Sequence, residues 1–134
     1  MPDRRHPAVS VVVAYLGSML DVPVSSRVPA DRPDSFVRVS RVGGLKTNIV
    51  TDGPMIKCEC WHPVSAESLA MRVMDLLEDL PPSFVDYRDD DGNPQRAWVS
   101  TFTEIGAPAE LPDPDVSTQD RWILTVALGI ATNV

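Results

Sequence analysis

Apolar positions fall into a helical period at the start of the chain and again near its middle, with alternations between and after. Over residues 7–20, Val9, Val12, Val13, Leu16, Met19 and Leu20 recur at the spacing of one helix face. Pro7 suits a first turn, where its missing N–H loses no partner. The valines also fit a strand, but no period of two runs through the segment, and a helix is predicted. A second and clearer helix follows residue 64: Leu69, Val73, Leu76, Leu77 and Leu80 form the stripe. Ser65 is placed to cap it, Glu67 complements the N-terminal dipole, and Pro81 and Pro82 stop it.

The remaining segments read as strands and loops. Residues 21–28 are a short extended piece that Pro23 confines to an edge or a strand start, and residues 29–35 are a turn-rich loop. "FVRVSRVGG" then alternates, with Val37 and Val39 on one face and Phe36, Arg38 and Ser40 on the other; Gly43 and Gly44 end it. Residues 48–50 begin another extended piece, and "TDGP" turns the chain. In "MIKCECW", Ile56, Cys58 and Cys60 share one face and Lys57, Glu59 and Trp61 the other, as in a strand with one face in a core. Residues 85–95 read as a long acidic hairpin loop with Asp91 and Gly92 at its tip. Residues 97–105 are a strand, 106–120 a proline-rich excursion, and 121–130 a strand apolar on both faces, hence central. Helix, several strands, helix and two strands predict an α+β fold: one mixed, mostly antiparallel β-sheet packed against two α-helices.

Length and charge narrow the function. A chain of 134 residues, 43% hydrophobic, reads as one domain over residues 1–134 with a core that needs neither metal nor disulfide. Its formal charge of −7 argues against general or sequence-specific nucleic-acid binding, which needs a basic surface. Arg4 and Arg5 before an apolar run resemble a signal peptide, but Ser10, Tyr15, Gly17 and Ser18 interrupt the run and no small-residue cleavage site follows. No stretch reaches the roughly 20 apolar residues of a membrane span, and the chain reads as soluble and intracellular.

Candidate chemistry is sparse. Cys58, Cys60 and His62 form C-x-C-x-H, but strand residues two apart stand about 6.5–7 Å from each other, too wide for a disulfide. No fourth zinc ligand is near in sequence, so the cysteines read as small buried hydrophobes. The run Asp89, Asp90, Asp91, Asn93 suggests a calcium loop, yet the twelfth position is Ala97 counted from Asp86 and Ser100 from Asp89, where a glutamate is required. "RVGG" precedes no helix start and is a poor phosphate cradle. No nucleophile elbow, P-loop or dinucleotide fingerprint is present, so neither catalysis nor a cofactor is expected. What remains is charge. Arg38 and Arg41 fall on opposite faces of an ideal strand, whereas Arg27, Arg32 and Arg38 can cluster. Against them stand Asp86, Asp89, Asp90 and Asp91 on one loop and Glu110, Asp113 and Asp115 on another. A basic edge and acidic loops on one small protein suit head-to-tail binding of copies.

Three stretches carry a resemblance: "VVVAYLGSMLDVPVSSRVPADRPDSFVRVSRVGG", "NIVTDGPMIKCECWHPVSAESLAMRVMDLL" and "ELPDPDVSTQDRWILTVALGI". In order and texture they resemble the tail terminator proteins of long-tailed phages and prophages of actinobacteria, over nearly the whole chain. The resemblance implies a lambda-type tail-terminator fold and a ring of six copies that caps the tail tube and ends its polymerisation. It implies the tail tube protein and head-tail connector proteins as partners, and a place in the virion at the head-tail junction after synthesis in the host bacterial cytoplasm. No active-site residues transfer. Arg27, Arg32, Arg38 and Arg41, with Asp89, Asp90, Asp91, Asp113 and Asp115, are the interface positions expected under it. Head-completion and neck proteins are the near alternative. A ligand-binding α+β module, the competing class, predicts an apolar pocket between helix and sheet.

Overall fold

The computed structural model describes residues 4–132. Its elements run α1 (Ala8–Met19), β1 (Val24–Ser25), β2 (Phe36–Gly43), β3 (Lys46–Asn48), β4 (Thr51–Asp52), β5 (Met55–His62), α2 (Glu67–Asp79), β6 (Ser83–Arg88), β7 (Pro94–Glu110) and β8 (Asp120–Ala131). The strands join one sheet, all pairs antiparallel except β1 with β2. The fold is thus the α+β arrangement that the pattern predicts.

Apolar β8 is central, as expected. β5 pairs along one edge, from Met55 opposite Ala127 to His62 opposite Asp120. β7 pairs along the other, and β6 lies beyond it. The alternate residues Val37 and Val39, Ile56, Cys58 and Cys60, and Leu124, Val126, Leu128 and Ile130 face the helices and are buried with Val11, Val12 and Leu16 of α1 and Val73 and Leu77 of α2. The apolar run near the N-terminus is therefore a core helix. Tyr15 ties the helix layer together by donating its hydroxyl to the Leu76 carbonyl at 2.6 Å.

Three expected boundaries move. The acidic hairpin loop shrinks to residues 89–93, because β6 and β7 pair from Ser83 opposite Val99 to Arg88 opposite Pro94. Three strands therefore follow α2, where two were expected. β7 also absorbs the first part of the proline-rich excursion and runs to Glu110, with register shifts around Gly106 that hide its alternation. The N-terminus of α2 is held from a distance: Asp120 Oδ2 accepts the Ala66 N–H at 2.9 Å, while Ser65 Oγ reaches the Glu67 N–H only at 3.4 Å.

β2 ends at Gly43, as expected, but the chain does not leave the sheet there: it passes through Gly44 and Leu45 into β3, and from β4 through Gly53 and Pro54 into β5. The whole is one bent hairpin, in which Gly53 N–H donates to the Leu45 carbonyl at 3.1 Å. Gly43 and Gly44 adopt φ of +134° and +95°, which glycine enters without steric cost. A Cβ on Gly44 would stand 2.1 Å from the Gly53 oxygen. The chain reverses at Ile49 and Val50, where Asn48 Oδ1 accepts the Val50 N–H at 2.9 Å. Residues 48–50, expected to be extended, thus hold the turn, and "TDGP" holds β4 and the bend.

Candidate assembly interface

Strand alternation sends a second set of residues to the face away from the helices: Phe36 and Arg38 of β2, Lys57, Glu59 and Trp61 of β5, and Arg121 of β8. The register sets Phe36 opposite Trp61, Arg38 opposite Glu59, and Trp61 opposite Arg121. Three cations thereby converge on one carboxylate. Glu59, 4% exposed, accepts from Arg38 Nη1 at 2.9 Å and Arg121 Nη1 at 3.3 Å, with Lys57 Nζ at 3.6 Å. The three surrounding charges compensate the desolvation of the buried carboxylate.

Beside this cluster, Phe36 and Trp61 stack with centroids 4.7 Å apart and planes at 15°. The Arg32 guanidinium sits 5.0 Å from each ring centroid, a cation–π arrangement that holds an exposed arginine in place. Gln119 accepts from Arg32 Nε and donates to the Pro33 and Asp34 carbonyls at 2.8 Å each. Two loops distant in sequence are thus pinned together beside the aromatic pair. Arg38 Nε also donates to the Ser26 carbonyl at 3.3 Å. Arg32 and Arg38 thus stand on the two neighbouring clusters of this face, and exposed Arg27 follows the Ser26 carbonyl that Arg38 holds. Lys57 and Arg121, which sequence reasoning did not single out, join them. The Lys57-x-Glu59-x-Trp61 alternation was the available signal for Lys57; Arg121 required the register.

Arg41 lies elsewhere. It stands opposite Ile56, on the helix side of the sheet, and donates to Asp52 Oδ2 at 2.8 Å and Oδ1 at 3.0 Å. It also donates to the Gly43 and Gly44 carbonyls at 3.0 and 2.9 Å. Asp52 is 1% exposed and further accepts from Arg5 Nε at 3.1 Å. Burial opposes its charge, but the hydrogen bonds and charges of Arg41, then Arg5, outweigh burial and hold its pKa below the ordinary 3.8. Arg41 therefore clamps the glycine bend.

The acidic loops divide the same way. Asp89 closes its own turn, accepting from the Asn93 and Asp91 N–H groups at 2.8 and 3.0 Å and from Gln95 at 3.1 Å. These bonds, the Asn93 N–H foremost, lower its pKa. Asp86 pairs with Arg96 at 2.8 Å. Asp113 accepts the Asp115 N–H at 3.0 Å and lies 3.9 Å from Arg121. Asp90, Asp91 and Asp115 are exposed.

An apolar feature went unread in the sequence. Around the end of the bent hairpin, Val42, Leu45, Ile49 and Val50 are 49, 82, 79 and 55% exposed. At the other end of β2 and β5, a cleft of about 810 Å³ is lined by Met19, Leu20, Val22 and Leu69 together with His62 and Arg72. His62 Nδ1 accepts the Val64 and Ser65 N–H groups at 3.1 and 3.2 Å, so it caps a turn. Cys58 and Cys60 are buried and unbridged; burial, then Glu59, pushes the Cys58 thiol up to about 12, and burial raises Cys60 as well. Among the described residues no three His, Cys, Asp or Glu side chains gather as a metal site, and no helix is long and apolar enough to cross a membrane. No protein-family model matches the chain, and a search of curated proteins finds none that is significantly similar.

Proposed function

We propose that this chain is a structural subunit that assembles into a ring on the end of a phage tail tube. There it ends tube polymerisation and presents the head-tail joining surface. The observation that carries the reading is the hairpin end, where Val42, Leu45, Ile49 and Val50 stand largely in water. Large apolar side chains grouped at one tip mark a protein contact. The resemblance of the chain to tail terminators names the kind of assembly, with the tube protein and connector proteins as partners. Adding the purified chain to polymerising tail tubes tests it: tubes stop growing and carry the protein at one end. Unchanged tube lengths, with no protein at the ends, sink the reading.

The mixed cleft between α1, α2 and the sheet favours a second reading, a ligand-binding module. That reading expects small molecules to raise the thermal midpoint of the monomer, an effect removed by Leu69→Trp in the cleft.

A further inference from the structure

We infer that the cationic sheet face around Glu59 is the receptor for the Asp90–Asp91 tip of a second copy of this chain. The inference rests on the assembly reading above and specifies the surfaces that meet. On this acidic chain, Arg38, Lys57 and Arg121 surround Glu59, with Asp113 at the rim and Arg32 over the adjoining Phe36–Trp61 pair. Four cations and two carboxylates meet at these contacts on a protein of net −7, with the exposed acids Asp34 and Asp115 at the edge of the face. Over residues 86–96, Asp86, Asp89, Asp90 and Asp91 less Arg88 and Arg96 leave −2.

The two charges are built differently, as receptor and ligand require. The cationic face is rigid, because Glu59, the Phe36–Trp61 stack and Gln119 hold its arginines in place. In the tip, Asp89 is consumed in closing the turn and Asp86 pairs with Arg96, which leaves exposed Asp90 and Asp91 as its outward charges.

The two surfaces cannot meet within one molecule. Arg121 stands near the start of β8, whereas the tip lies past the far end, where Val99 pairs with Ile130. Nine strand residues separate Arg121 from Ile130, about 30 Å at the strand rise. A contact between unlike patches at opposite ends is heterologous, and its repetition closes a ring or extends a filament. Complementary potential sets its orientation and makes it salt-sensitive.

The test uses two full-length variants: Asp90→Lys with Asp91→Lys, and Arg27→Glu with Arg32→Glu. All four positions are exposed and none contacts Glu59, and circular dichroism checks folding. Mass is measured by sedimentation across protein and salt concentrations. Each variant alone associates at least roughly ten-fold more weakly than the wild type at low salt, because one of its two surfaces has its charge reversed or cancelled while the other is unchanged. Mixing the two variants restores association, since every patch then finds an opposite tip. Wild type that stays monomeric at low salt, variants that associate normally, or a mixture no better than its components each overturn the inference. Tube capping is scored separately. Capping without self-association spares the tail reading and sinks this contact; self-association without capping does the reverse.

Discussion

Arg38 and Arg41 show how three residues of separation decide a role. On a strand they face opposite sides, so Arg38 joins Glu59 in the outward cluster while Arg41 grips buried Asp52. Removing one partner of a buried ion pair strands the other charge, at about 3–5 kcal/mol. Arg41→Ala leaves Asp52 with Arg5 alone and is accordingly expected to lose no more than the lower end of that range, about 3 kcal/mol, in urea unfolding, and Arg41→Lys less, since lysine keeps the charge but not the two parallel bonds. An Arg41→Ala protein as stable as wild type contradicts the clamp. Acid reaches the same site. With its folded pKa below 3.8, Asp52 contributes stability that is complete above the unfolded value and lost as pH falls through the folded one. His6 acts at milder pH. It is buried against Tyr87, its Nδ1 2.6 Å from the phenol oxygen, and burial lowers its pKa below 6.5. The unfolded chain therefore takes up the proton first, so stability is complete above 6.5 and declines as pH falls from there through the folded value. The expected result is a thermal midpoint that drops as pH falls below 6.5, with this component missing in His6→Phe.

At the scale of elements, the bent hairpin combines a rigid hinge with an exposed end. Both glycines have positive φ, but only Gly44 is also crowded, by the Gly53 carbonyl and the Met55 nitrogen. Gly43→Ala is expected to cost the strain of its backbone, about 1–2 kcal/mol, and Gly44→Ala about 2 kcal/mol more. Equal losses in chemical denaturation contradict the crowding. Leu45→Asp and Ile49→Asp change side chains that are 82 and 79% exposed, so folding stability stays within about 0.5 kcal/mol of wild type while tube capping is lost. β7 handles its exposure differently. From Thr101 onward it pairs with β8 alone, and register shifts and Pro108 break the regular run of its outer edge. Such an edge resists addition of another strand.

At the scale of the molecule, charge is distributed against the net sign: the cationic face sits at one end of the central strands and the acidic tip beyond the other. Raising salt from about 0.05 to 0.5 M shortens the screening length several-fold and is expected to weaken self-association of the wild type; an assembly indifferent to salt points to the apolar hairpin end alone. Much of the framework follows from periodicity, because burial of one face imposes a period on each element. The helical stripe of α2, the core face of Val37, Val39, Ile56, Cys58 and Cys60, and the central place of β8 were legible in this way; α1 was legible as a helix, but its buried face includes Ala8 and Val11 and leaves Met19 48% exposed. The cationic face was half legible: alternation put Lys57, Glu59 and Trp61 on one side, but nothing local said that Arg121, 62 residues on from Glu59, stands beside them. Asp52 and Ser65 mark the limit most clearly. Local chemistry made one a turn residue and the other a cap, and the folded chain buries the first under two arginines and takes its principal helix cap from Asp120. A sequence by itself determines which residues are charged, apolar or able to bend. Which charge meets which is decided by register and loop closure, because those alone set the distances over which hydrogen bonds and ion pairs act.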